Sequence, residues 1–486
     1  MHVDSSGVAS LPRKFIRLRA RPDAIGAEAR GPGAVRLFGF IAIHLPLALA
    51  MKQQNIVAAV HAAITLLFGL WCCCTQNRPR QLAMWAGYMA GCEALWRMCG
   101  APIPWEFSAL GICLILFISL MRGASRSQSW LPAAYLALLA PGCVLTFMVL
   151  SFGEARQQVS FYIAPAAALA LCAMSFSRLR LTPIVLQGVG AAIAAPVAGM
   201  AMIAIFGIAK SQTTFISASN VAASGGYGPN QVSAMLSLGA LMMVFLYVGA
   251  RRSYWLRAGS VVLGLWLLGQ SMMTFSRTGA YLFAASFVAA AFFLAQSKGG
   301  GWRIALLLTV LAASACAVLP MLDSFTGGQL LHRFQDEGLT GRDEIAKTEL
   351  KLWLKRPVLG NGVGMSMYDR SAMSHAEAPA AHTEYTRLLA EHGLLGGAAL
   401  VILLVMAVRA FFRAQGPWAK AVVAALAIWS FLFMAVTAMR LVAPGFLLGL
   451  IQARMQAEQG PPRLAVVQAR RAKSRGWMFA ARKNPR

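Results

Sequence analysis

The sequence predicts an all-α, polytopic transmembrane helical bundle of about 12–14 spans, with one large loop on its outer side that contains short helices. Three observations carry this. The chain of 486 residues is 58% hydrophobic and only 13% charged, with a mean hydropathy of +0.61. A soluble protein of that size needs more polar surface to cover itself. Apolar runs long enough to cross a bilayer recur almost from end to end. The alternation expected of an outer-membrane β-barrel is absent, and inside lipid an apolar run must be helical, because its backbone polar groups have no water to bond.

Taken in order, the apolar runs lie near 36–51, 55–74, 82–99, 105–121, 130–150, 159–175, 183–208, 229–249, 256–273, 279–296, 303–320, 393–411, 419–437 and 441–453. The last is the shortest. The segmentation is then a basic tail over 1–35, eleven spans over 36–320, a loop or lid over 321–392, three spans over 393–453 and a second basic tail over 454–486. Basic residues set the orientation. Both tails are basic, and every alternate loop carries two or three Lys or Arg, as at Arg78/Arg80, Arg178/Arg180 and Arg251/Arg252/Arg257. All acidic residues but Asp4, Asp23, Glu28 and Glu458 fall on the other side. Both termini are therefore expected in the cytoplasm. Ala48-Leu49-Ala50 resembles a signal-peptidase site, but the basic stretch before it is long, so an uncleaved first span is expected.

The net charge of +27 is concentrated in tails beside membrane spans, where it fits a topology signal and an anionic leaflet; no nucleic-acid partner is expected. The nine cysteines sit in or at the ends of apolar runs without metal-ligand spacing, so no disulfide framework and no metal site is expected.

Candidate chemistry gathers at the outer boundary. Glu93 and Arg97 stand i,i+4 near the outer end of the third span, an ion pair or a contribution to an outer cavity. Two outside segments stand out, 209–228, rich in small polar residues, and 322–392. In the second, GRDEIAKTELKLWLKRP reads as a lid helix with Ile345, Leu350, Trp353 and Leu354 on one face, ended by Pro357. The glycine-rich stretch 359–364 lacks the strand and Lys-Ser/Thr of a phosphate loop and reads as a turn. Arg277, in a very short outside turn, is either an arginine snorkelling to head groups or a bidentate phosphate clamp. Lys210 and Arg156 sit at similar outer ends, and Arg342 opens the lid helix. In His382–Gly393, Thr383 suits a helix cap, Glu384–Arg387 are i,i+3, Arg387–Glu391 are i,i+4, and Gly393 breaks or bends the helix where the next span begins. His382 stands at the mouth of that helix, a fit place for a proton acceptor.

These residues carry a resemblance. GPNQVSAML at 228–236, SRTGAYL at 276–282, GRDEIAKTELKLWLKRPVLGNGVG at 341–364 and HTEYTRLLAEHGLLGG at 382–397 look like the O-antigen ligase/polymerase superfamily of bacterial envelope glycosyltransferases. Thr383 departs from the asparagine that many members have there. The resemblance covers roughly 155–450 and implies an inner-membrane enzyme with its site facing the periplasm. It implies metal-independent, inverting transfer of glycan from undecaprenyl diphosphate to a glycan or lipid acceptor, with no cofactor. His382 is then the expected general base. Arg277, with Arg342 and Lys210, is expected to meet the diphosphate, and Arg387 and Glu384 to bind or orient at the same site. A polymerase of O-antigen or exopolysaccharide is slightly preferred; the alternatives are a ligase onto lipid A-core, a protein oligosaccharyltransferase, and a polysaccharide or lipid transporter or flippase. A transporter is expected to show internal repeats and midplane polar sites; the sequence displays no convincing repeat, and its charge concentrates on one side.

Overall fold

The computed structural model describes residues 33–123, 129–210, 215, 218–250, 253–297, 299–335, 342–368 and 383–456. They are overwhelmingly helical, and ten of the helices among them are long and apolar enough to cross a membrane. The first seven helices are α1 (Ala34–Gln53), α2 (Asn55–Thr75), α3 (Pro79–Met98), α4 (Phe107–Met121), α5 (Leu131–Val149), α6 (Phe152–Phe176) and α7 (Pro183–Lys210). Then follow α8 (Pro229–Gly249), α9 (Tyr254–Met273), α10 (Arg277–Ala295), α11 (Gly300–Phe325), the short α12 (Gln329–Gln335) and α13 (Arg342–Lys355). The last three are α14 (Glu384–Arg413), α15 (Pro417–Val436) and α16 (Ala443–Leu450). Each apolar run read from the sequence has its helix.

Prolines open α3, α7, α8 and α15, where a missing N–H costs nothing and a fixed φ favours the first turn. Ser151 and Glu154 form a reciprocal capping box at the start of α6. The bundle is built around α8, which packs against α7, α9 and α10; its apolar window is 89% buried, against 11% for α11, whose apolar faces are left outward. Around this centre, α7 packs on α1 and α3, α10 on α15, α14 on α5, and α16 on α6. Close approach relies on small residues: a Cβ on Gly69 would meet the Trp85 ring at 2.2 Å.

Helices α1, α2 and α3 are also joined by a buried polar chain. The Trp96 indole N–H donates to His61 Nδ1 (3.0 Å), and an indole can only donate. His61 therefore donates from Nε2 to Tyr88 Oη (2.8 Å), and Tyr88 donates on to His44 Nε2 (2.7 Å). His44 Nδ1 then donates to the Phe40 carbonyl (2.8 Å). Each imidazole keeps one tautomer, and no donor in the chain is wasted.

One end of the bundle gathers the segments that the charge pattern assigns to the outside; it is called the outer end here. Lys52, at the end of α1, donates to the carbonyls of Met98 and Gly225. Asn220 N–H bonds to Thr274 O. Two helices are interrupted near this end. In α14 the helical ladder breaks at Gly393 (φ 62, ψ −143). Leu394 N–H bonds to Pro357 O, while Asn361 and Gly362 give their N–H groups to the Ala390 and Glu391 carbonyls that the break releases. The stretch 359–364 is thus a turn, as the sequence reads, and it is also an insert that satisfies the kink. Gly360, Gly362 and Gly364 all have positive φ, and a Cβ on Gly360 would press on the Glu391 backbone at 2.4 Å. The second interruption is 437–442, a buried non-helical link between α15 and α16. The sequence reads a span over 441–453; the structure instead has the eight-residue α16, far too short to cross a bilayer.

The lid helix also departs from its expected phase. Glu349 and Leu352 are its buried residues, with Ile345 and Trp353 partly covered, while Leu350 and Leu354 are exposed. The reason is polar: the Thr386 hydroxyl of α14 donates to Glu349 Oε2, which turns that carboxylate inward.

Gly393→Ala is expected to lower the unfolding temperature in detergent. Its Cβ would lie 2.4 Å from the Val358 carbonyl, at a φ that costs alanine about 1 kcal/mol or more before the clash. Gly269→Ala, with open space at its Cβ, is the control and should be neutral or slightly stabilising.

Candidate functional site

The outer end holds two polar constructions, one around the α9–α10 turn and one at the start of α14. The first begins with Ser233 of α8. Its hydroxyl lies 2.9 Å from Ser271 Oγ and 3.1 Å from the Ser276 carbonyl, and it accepts from Gly279 N–H (3.0 Å). Asn230 Oδ1 accepts from the Ser276 hydroxyl (2.7 Å). Gly279 is required here, since a Cβ would meet Ser271 Oγ at 2.2 Å and Ser233 O at 2.4 Å. This is what the GPNQVSAML and SRTGAYL stretches do: they knit α8, α9 and α10 together through small polar groups. The turn they hold is tight enough to put Phe275 at φ +57, a conformation a bulky residue adopts only when its surroundings enforce it.

Arg277 follows that turn as the first residue of α10, partly exposed. Arg333, 5% exposed on α12, donates from Nε to the Phe275 carbonyl (3.2 Å). A second guanidinium is therefore brought against the same turn. The sequence reading missed Arg333; the signal was a basic residue in the long outer segment just before the lid helix. Phe215, from the first outside segment, stacks on Phe275 at 5.5 Å between centroids.

The second construction uses Glu384, Arg387 and Glu391, each at most 2% exposed. Arg387 donates to Glu384 through Nε (3.0 Å) and a terminal nitrogen, and to Glu391 Oε2 (2.6 Å) through the other. Its guanidinium lies 4.9 Å from the centre of the Tyr162 ring. The carboxylates have further partners: Glu384 accepts from Met439 N–H (2.9 Å) and Glu391 from the Ser366 hydroxyl (2.8 Å). Thr383 caps the helix by accepting from Thr386 N–H (3.2 Å), and Tyr385 donates to the Phe431 carbonyl (2.8 Å). Both ion pairs expected from the spacing are present. The structure gives them a bracing duty: they hold the start of α14 to α6, to the 437–442 link and to the segment after the lid helix.

His382 directly precedes Thr383 and lies outside the described residues. Lys210 and Arg342 are placed by backbone alone, as the last residue of α7 and the first of α13. Arg156 is exposed near the start of α6. Glu93 and Arg97 form the expected pair (2.6 Å), with Arg97 also donating to Tyr227 Oη (3.0 Å), Arg440 O (2.8 Å) and Trp105 O (2.7 Å). Glu93 accepts from Val442 N–H (2.6 Å). Among the described residues no cluster of His, Cys, Asp and Glu is arranged to hold a metal ion.

A helical bundle with ten apolar membrane-length helices defines the class: a multi-pass membrane protein, with a polar, arginine-bearing outer end. A family model described as O-antigen ligase matches residues 265–401, from within α9 to within α14, and supports the O-antigen ligase/polymerase superfamily for this chain. The match includes Arg277, Arg333, Arg342, His382, Glu384 and Arg387. No curated protein matches the chain.

Arg387→Met is expected to destabilise the fold by about 3 kcal/mol or more, because it leaves two buried carboxylates, Glu384 and Glu391, without their cation. The readout is a lower unfolding temperature and a smaller folded yield after extraction. Glu154→Gln, in an exposed cap, should cost far less.

Proposed function

We infer that this protein is an integral-membrane glycosyltransferase that transfers or polymerises undecaprenyl-diphosphate-linked glycan at the periplasmic face of the bacterial inner membrane. The observation that carries the reading is the family match over 265–401, whose polar residues are those of the α9–α10 turn, the lid helix and the start of α14. The donor is already activated, so the protein needs to position it, neutralise charge and accept one proton. His382 takes the proton of the acceptor hydroxyl as general base. The acceptor oxygen forms its bond to the anomeric carbon as the carbon–oxygen bond to the diphosphate breaks, and undecaprenyl diphosphate departs with that electron pair. In-line attack inverts the anomeric centre. Protein cations meet the diphosphate without a metal or cofactor: Arg277 with its planar fork, Arg333 against the same turn, and Arg342 and Lys210 at neighbouring outer positions.

The Glu384–Arg387–Glu391 group is assigned positioning: it fixes the first turn of α14, the helix that His382 shortly precedes in sequence. A polymerase is preferred over a ligase acting on lipid A-core or on protein, because no feature marks either of those acceptors. The buried ion pairs Glu93–Arg97 and Glu384–Arg387–Glu391 stand at the outer end, which favours an enzyme over a flippase or transporter, whose charged sites lie nearer the midplane.

His382→Ala is expected to insert normally and to lower transfer at least about a hundredfold, the scale of a lost general base. Normal surface glycan from that variant would refute the assignment. Arg277→Lys should raise the donor KM about tenfold, since a point charge does not reproduce a bidentate fork; unchanged donor kinetics would leave Arg277 as a snorkelling residue only. Surface glycan of a knockout separates the acceptors: single repeats still attached indicate a polymerase, and unattached chains on carrier lipid indicate a ligase.

A further inference from the structure

The outer ends of α3 and α4 and the loop between them enclose a cavity of about 140 Å³, lined by Glu93, Trp96, Arg97, Trp105, Phe107 and Ser108 among others. Its polar groups are incompletely used. A guanidinium has five N–H donors, and those on the two terminal nitrogens of Arg97 go to Tyr227, Arg440, Glu93 and Trp105. The Arg97 Nε–H is buried without a protein partner, and so is Ser108 Oγ, on a side chain only 1% exposed. Both residues line the cavity, so two unpartnered polar groups, one a donor and the other a donor or acceptor, lie beside the space that a hydroxylated guest would fill. Trp105 also lines the cavity and is 55% exposed, with its ring centre 5.1 Å from the Arg97 guanidinium carbon.

The charge around the cavity selects the kind of guest. Glu93 lines it and already pairs with Arg97 at 2.6 Å, so the one cation on its lining is neutralised. An anion such as a lipid phosphate gains little there. A neutral ring with hydroxyls on its edge and C–H groups on its face meets every feature: indole and phenyl walls, one N–H donor and one hydroxyl. The volume accommodates about one such ring.

We propose that this cavity is a subsite for one neutral sugar residue of the acceptor glycan. As an acceptor subsite it rests on the glycosyltransferase reading above. The link to the other constructions is direct. Arg97 bonds the Arg440 carbonyl and Glu93 the Val442 N–H, while Glu384 bonds the Met439 N–H three residues earlier. One short link, 437–442, is thus fixed at one end by a cavity residue and at the other by the first residue of α14.

The test uses full-length protein in lipid nanodiscs with methyl β-D-glucopyranoside and methyl α-L-rhamnopyranoside as probes and glycerol 3-phosphate as the anionic comparator. Saturation-transfer NMR should show at least one glycoside bound through its C–H face. Trp105→Ala and Ser108→Val should each weaken that binding about tenfold. Both variants should retain the unfolding temperature and the donor KM and raise the acceptor KM. The subsite is overturned if neither glycoside binds, if both variants bind as the parent does, or if glycerol 3-phosphate binds in their place. The two readings fail separately. Transfer that needs His382 but is indifferent to both variants removes the subsite alone. Trp105-dependent glycoside binding in a protein without transfer activity removes the glycosyltransferase reading and leaves a sugar site.

Discussion

Two buried carboxylates, Glu93 and Glu384, each accept a backbone N–H from the six-residue link between α15 and α16. Lipid gives a bare N–H nothing to bond, so a chain that leaves helical geometry inside a bundle must find partners within the protein. A carboxylate is a strong acceptor for that purpose, but as an ion it is costly to bury alone. Each is therefore paired with an arginine on its own helix, Arg97 or Arg387. The outer end is organised around that requirement: Arg97 goes on to bond Tyr227, Trp105 and Arg440, while Arg387 takes in a second carboxylate, Glu391, and lies against the Tyr162 ring.

The same logic explains how the outer end combines rigidity with interruption. Near Gly393 the chain uses neutral groups, with backbone N–H groups of 361–362 replacing the ladder bonds lost at the kink. Around the α9–α10 turn it uses serine hydroxyls and one asparagine, which bring three helices within van der Waals reach. Ion pairs are kept for the places where segments distant in sequence must meet, such as α3 with the 437–442 link. Buried pairs of this kind add little net stability relative to apolar packing, yet losing one partner is expensive. They therefore act as registry devices, and here the register they set is that of the segments bearing the candidate catalytic residues.

Much of the fold was legible because hydropathy and charge act locally. Membrane helices must be apolar over a fixed length, so each was visible as a run of residues. Thr383 as a cap, the i,i+3 and i,i+4 pairs around Arg387, and the break at Gly393 were equally legible, since all depend on neighbours within about two helical turns. The lid helix was legible as a helix but not in phase: Leu350 and Leu354 look like a buried face, yet Glu349 is the residue turned inward, by a threonine on another helix. Arg333 was missed because its importance comes from a carbonyl 58 positions away in the chain.

The sequence by itself determined that this is a multi-span helical membrane protein, where its apolar helices lie, the short run at 441–453 excepted as a span, and which loop ends are polar, because the bilayer imposes those features segment by segment. The tertiary structure decided which polar groups meet. Glu93 with Val442, Glu384 with Met439, Arg333 with Phe275, and the cavity between α3 and α4 all join residues from separate segments. Spacing along a chain encodes neighbours on one helix, whereas contacts between helices depend on how their faces pack, and only the folded bundle sets that.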